Sequence, residues 1–393
     1  MATMVGTSAA VATITTLLMG VLSDRKGRRK PFIVYGYIIW GFVIASFALV
    51  STENVERIFP NANVIMLTAA IVVFMCCLIT FFGSTANDAA FNAWVTDVTT
   101  TENRGRADGL LATMPLLALL IVFGALDGLT RSGNWALFYI IIGAVVSLGG
   151  IVGHFFLKDI PNIKVEKTDM FFGFRPQNIK ENKELYLIFL ILTISCIAQQ
   201  IYFPFILIYI EFFLGIADYA LILGVVLTSA GVLSVLGGRL VDRFGKKPFF
   251  YIYNGVFTIG LFLTFVHGRF LVENENNIIP FLIFAQIIMI GGNMLMVAVL
   301  NASIRDYMPE AKRGYFNGIR LIFFVLLPMV IGPFIGARII LLGDGTYVDE
   351  FGMIQTVPNP EIFLGAGIIS LLLFIPLVII IPKLYKKSFQ AYS

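Results

Sequence analysis

Apolar runs of about 20 residues, parted by short polar connections, repeat along the whole chain, and each is long enough to cross a hydrocarbon core of roughly 30 Å. In lipid the backbone must satisfy its own hydrogen bonds, so each run predicts a helix. Eleven spans are expected, at 3–22, 32–50, 64–94, 108–127, 134–157, 185–209, 218–238, 249–267, 278–303, 315–341 and 360–382. The interval 158–184, KDIPNIKVEKTDMFFGFRPQNIKENKE, breaks the pattern with its charge and two prolines and predicts a linker. It divides the spans five and six, into helical bundles at 1–157 and 185–393.

Composition sharpens the class. The chain is 58% hydrophobic and only 13% charged, against about 25% charged residues in soluble domains. The expectation is an all-α membrane protein. Cys76, Cys77 and Cys196 all fall in apolar segments and suggest neither a disulfide framework nor a metal site. No His or Cys cluster, nucleophile elbow or phosphate-cradling loop is present, so an enzyme is not expected. Expected partners are the lipid bilayer and a small solute, with no nucleic acid, no cofactor and a monomeric state.

Charge placement orients the spans. Most of the 28 Lys and Arg fall in alternate connections, among them Arg25–Lys30, Arg104 and Arg106, the 158–184 linker, Arg239–Lys247, and Lys383–Lys387. The positive-inside rule puts these connections in the cytoplasm, and the C-terminus with them. A plasma-membrane protein with its N-terminus outside follows.

The chain also repeats itself. Asp24, Arg25 and Gly27 in GVLSDRKGRRKPFI match Asp242, Arg243 and Gly245 in GGRLVDRFGKKPFF. Further along, Asn92, Asp97, Arg104, Gly105 and Gly109 match Asn301, Asp306, Arg313, Gly314 and Gly318. Two motifs recurring in the same order point to a duplicated bundle.

Ionisable groups inside a membrane are costly and mark functional sites by default. The foremost is Asp88, in FFGSTANDAAFNAWVTD. Ser84, Asp88, Asn92 and Thr96 are four apart and share a helix face, with Asn87 beside them. The repeat-related position of Asp88 is Val297, so the acid belongs to one half only. Arg320 lies inside the 315–341 span and either faces the interior or snorkels to the surface. Gln199, Gln200, Gln286 and Asn293 carry amides into spans, where they serve either solute hydroxyls or helix contacts. Pro328 and Pro333, with Gly332 and Gly336, predict a bent helix.

These features together resemble the major facilitator superfamily, whose signature G-x-L-x-D-R-x-G-R-R/K joins helices 2 and 3 and recurs, weaker, between helices 8 and 9. Gly20, Leu22, Asp24, Arg25, Gly27, Arg28 and Arg29 fill the first copy; Gly238, Leu240, Asp242, Arg243, Gly245 and Lys246 fill the second. The resemblance implies two pseudo-symmetric bundles and a secondary transporter working by alternating access. It also implies a cytoplasmic latch, in which Asp24 faces the start of the 315–341 helix and Arg25 or Arg28 pairs with Asp97. Asp242, Arg243 and Asp306 would be the second-half equivalent. Glycine suits the tight turn between the helices. One span precedes Gly20 where the family has two, so family helix 1 is expected to be absent, by truncation or as an eleven-helix variant.

Within the superfamily, GRRKPFI and the acid at Asp88 resemble the glycoside–pentoside–hexuronide cation symporters. Melibiose-type members carry paired aspartates on helix 2 and a lysine on helix 11; here Ala12 and Thr16 stand at the first, and 315–341 holds no lysine. The resemblance therefore implies a sugar-type symporter coupled to a proton or another monovalent cation, with the proton the simpler choice. A transport-silent sensor or scaffold on the same fold is the alternative.

Overall fold

The computed structural model describes residues 2–99, 121–158, 175–216, 219–271, 278–309, 319–349 and 353–390, with isolated positions between 111 and 118 and at 316. The described residues are all-helical apart from a two-stranded sheet, Thr346–Val348 with Ile354–Thr356. Ten helices among the described residues are long and apolar enough to cross a membrane. They correspond to ten of the eleven expected spans; of the remaining one, 108–127, residues 108–110, 112–113, 116 and 119–120 lie outside the described residues. Much of the 158–184 linker does too.

Two compact units divide the chain, one built on Met4–Met170 and the other on Phe171–Tyr347 with Gln355–Ser393. In the N-terminal unit, α1 (Ala2–Lys26) leads through a turn into α2 (Lys30–Ser46). The third span starts as α3 (Val64–Gly83), widens to a π-helix over Ser84–Phe91 and ends as α4 (Asn92–Val98). The last span of the unit is α5 (Trp135–Phe156). Asparagines start the two later spans, Asn63 accepting from the Met66 amide and Asn134 from that of Leu137, each relieving an otherwise orphaned donor.

Lipid offers no hydrophobic drive between helices, so small residues that admit close backbone approach decide the packing. Along the α2–α5 seam, a side chain on Gly41 would strike the Gly143 carbonyl and Ser147, and one on Gly150 would strike Ile38 and the Val34 carbonyl. Ser147 Oγ donates to the Ile38 carbonyl at 3.1 Å. On the other side of α2, Gly36 abuts Ala86 of the π-helix and Gly83 abuts the Trp40 ring.

The C-terminal unit follows the same logic. Its helices are α6 (Lys183–Tyr202), α7 (Tyr219–Phe244), α8 (Lys247–Val266), α9 (Ile278–Tyr307), α10 (Leu327–Ile340) and α11 (Glu361–Leu372). Gly332 and Gly336 of α10 admit the backbone of α6 at Gln200 and Ile201, and Gly292 of α9 admits that of α8 at Phe257. Polar pins join α8 to α11: Asn254 Nδ2 donates to the Ser370 carbonyl at 2.9 Å, and the Thr258 and Ser370 hydroxyls lie 2.7 Å apart. A core of Leu185, Ile188, Phe189, Met296, Leu300, Phe316 and Leu377 fills the middle. A further π stretch, Ile322–Leu326, precedes Pro328, where the sequence predicts a bend.

Candidate functional site

Asp88 sits within the π-helix, half-buried, and neutral groups hold its carboxylate. Ser84 Oγ donates to Oδ2 at 2.9 Å and Asn87 Nδ2 donates to Oδ1 at 3.1 Å. Behind Asn87 stands Tyr37 of α2, whose hydroxyl donates to Asn87 Oδ1 at 2.9 Å. Trp40, one turn along, meets the Tyr37 ring edge-on at 5.5 Å, and its indole N–H is buried with no partner among the described residues. An acid with three neutral polar groups around it can exchange a proton without breaking a salt bridge.

The α-helical spacing that groups Ser84, Asp88 and Asn92 holds in part. The widened turn keeps Ser84 on the carboxylate, whereas Asn92 is exposed and its amide reaches the Asp88 main-chain carbonyl, at 3.5 Å. The Thr96 side chain lies outside the described residues. Sequence reasoning missed Tyr37 and Trp40. Nothing local marks them, because their contacts to 83–88 span more than forty residues of chain.

The other intramembrane candidates belong to the C-terminal unit. Gln199 and Gln200 are half-buried on α6, and Gln200 packs its backbone side against Gly332. Asn293 is 4% exposed with its Nδ2 unpartnered among the described residues, and Gln286 is fully buried with both amide atoms unpartnered. Arg320 is half-buried, with its guanidinium over the Phe324 ring at 5.3 Å and Nε without a partner among the described residues.

At the charged turns, Gly27 and Gly245 both take positive φ, 62° and 80°, the conformation for which glycine is suited. Gly20 has open space around it. The side chains of Asp24, Arg25 and Asp242 lie outside the described residues. Arg29 pairs with Asp97, Nε to Oδ2 at 2.7 Å, and also donates to Ser23 Oγ at 2.9 Å. Arg28 is exposed on the turn. In the second copy, Lys246 rather than Arg243 pairs with Asp306; Arg243 lies over the Phe244 ring. The reason is register. Arg29 and Lys246 each stand two residues before the proline that opens the next helix, Pro31 or Pro248. The first turn holds one extra residue between glycine and proline, which displaces a match counted from the glycine.

The sequence matches the family model of the Major Facilitator Superfamily over residues 1–213 and 188–390. No curated protein matches it. Among solved structures, the fold is similar to that of a point mutant of the nucleoside transporter NupG, with TM-score 0.65, 13% identity, and coverage of 96% of this chain and 91% of that one. It is also similar to a bacterial homologue of the iron transporter ferroportin in an outward-facing state, with TM-score 0.60, 13% identity, and coverage of 96% and 89%. Such identities speak to the fold.

Proposed function

The chain belongs to the major facilitator superfamily, and from that premise we propose that it is a secondary carrier moving a small polar solute by alternating access, coupled to a proton at Asp88. The observation that carries this reading is the setting of Asp88: a carboxylate within a membrane span, met by Ser84 and Asn87 with Tyr37 behind them. A permanently paired acid would be structural; one held by hydroxyl and amide groups is free to load and unload. The solute is a hydroxylated ring compound, a sugar or glycoside. The turn motif GRRKPFI and the acid favour the glycoside–pentoside–hexuronide branch. NupG, named as a nucleoside transporter, makes nucleosides a second class to test. Gln199, Gln200, Asn293 and Arg320 are the solute-facing candidates of the other bundle. The pairs Arg29–Asp97 and Lys246–Asp306 act as cytoplasmic latches in a plasma-membrane protein whose C-terminus is inside.

The test is uptake of labelled sugars and nucleosides into proteoliposomes with an imposed pH gradient. Asp88→Asn should lose uphill accumulation while keeping solute exchange, since the isosteric amide keeps the shape and cannot titrate. Asp88→Glu should keep partial coupling with an altered pH profile. If Asp88→Asn concentrates solute as the parent does, coupling lies elsewhere.

A further inference from the structure

The two oxygens of Asp88 are not equivalent. Oδ1 faces Asn87 Nδ2, an amide nitrogen that donates and cannot accept. Oδ2 faces Ser84 Oγ, a hydroxyl that does both. Asn87 is held in its orientation from behind, because its own oxygen takes the Tyr37 hydroxyl at 2.9 Å.

From this asymmetry, and resting on Asp88 as the coupling acid, we infer that the proton is carried on Oδ2, with Ser84 as the partner that reverses and Tyr37–Asn87 as a fixed clamp on Oδ1. A proton on Oδ1 would set donor against donor unless the Asn87 amide turned over and the Tyr37 hydroxyl reversed with it. A proton on Oδ2 needs one hydroxyl to rotate. The new O–H then donates to Ser84 Oγ, and the Ser84 hydrogen turns to a carbonyl of the preceding helical turn. Its neighbours Thr80 and Thr85 already bond that way, at 2.7 Å to Cys76 and Phe81. Oδ1 becomes the carbonyl oxygen of the acid and keeps its bond from Asn87. Both states are satisfied, and the proton comes from water and returns to it. Among the described residues of this unit, the titratable group facing Asp88 from the helix packed on it is Tyr37; Arg29 of the same turn and helix is engaged by Asp97. On its own span the next acid is Asp97, so engaged. Tyr37, Asn87 and Ser84 are positioning residues for the proton on Asp88.

Infrared difference spectroscopy of the full chain in vesicles, stepped from high to low pH, reads this directly. A carboxylic C=O band that Asp88→Asn removes reports the loaded acid. A C=O that loses a hydrogen bond absorbs at higher frequency. Asn87→Leu should therefore raise the band, and Tyr37→Phe, the milder change, should broaden and raise it, while Ser84→Ala leaves its frequency in place. Ser84→Ala should instead move the pH midpoint of the band, and Ser84→Thr should restore it. If Ser84→Ala raises the frequency and the Asn87 and Tyr37 variants do not, the proton is on Oδ1 and the assignment fails while the coupling role of Asp88 stands. If no band disappears in Asp88→Asn, the coupling reading falls and the assignment with it.

Discussion

Gln286 shows what a single buried amide costs. It is fully buried on α9, and neither its oxygen nor its nitrogen has a partner among the described residues. An unsatisfied buried polar group costs about 1–3 kcal/mol, so Gln286→Leu should stabilise the detergent-solubilised protein by about that much. A thermal midpoint that falls instead would show that the amide is paired in the folded protein. How far single residues were legible depends on how their partners are reached. Ser84, Asn87 and Asp88 were legible because they are neighbours on one helix, where spacing alone sets contact. Tyr37 was not, since a tyrosine in an apolar span carries no signal until α2 is laid against the π-helix. Arg29 was read as part of the turn motif and not as the partner of Asp97, because the first turn holds one residue more than the second between glycine and proline. Counting back from Pro31 and Pro248 would have found it.

Helices are the elements the sequence states most openly, because a run of about 20 apolar residues has one stable form in lipid. The π stretches Ser84–Phe91 and Ile322–Leu326 were illegible. Over one turn, i→i+5 bonding leaves the pattern of apolar and polar positions almost unchanged, and it is tertiary packing that selects it. Turns are legible where a backbone conformation demands a residue. Gly27 and Gly245 adopt left-handed φ, so Gly27→Ala and Gly245→Ala should each destabilise by about 1–2 kcal/mol. Gly20 is different: it is helical, with nothing within 4 Å of where a side chain would start. Gly20→Ala should be neutral, or stabilising by about 0.5–1 kcal/mol. Thermal unfolding of the three variants side by side tests this, and equal losses would refute the distinction.

At the scale of the whole molecule, the duplicated turn motif led directly to the repeat, and each unit carries a cation–aspartate pair at the corresponding turn. The pairs are unequal. In Arg29–Asp97 the side chains are 8% and 22% exposed; in Lys246–Asp306 they are 23% and 54% exposed. Removing one partner of a buried pair strands a charge, whereas an exposed pair is worth about 0–1 kcal/mol. Asp97→Asn should therefore shift the balance of conformations well beyond what Asp306→Asn does. Cysteine-labelling rates at cytoplasmic positions measure this, and equal shifts in the two variants would count against it.

The repeat is broken where it matters for energy. Asp88 stands in one bundle, while its counterpart Val297 packs against the apolar core of the other. On the proposed coupling at Asp88, one loading acid and one inert partner would set the stoichiometry at a single proton per cycle. With an uncharged solute, each turnover would then carry one elementary charge, and the carrier would draw on membrane voltage as well as on acidity. A potential of 100 mV supplies about 2.3 kcal/mol per charge, enough for roughly 50-fold accumulation at about 1.36 kcal/mol per tenfold. A valine where a second acid would stand would, on that reading, set a ceiling on how steep a solute gradient the cell can build.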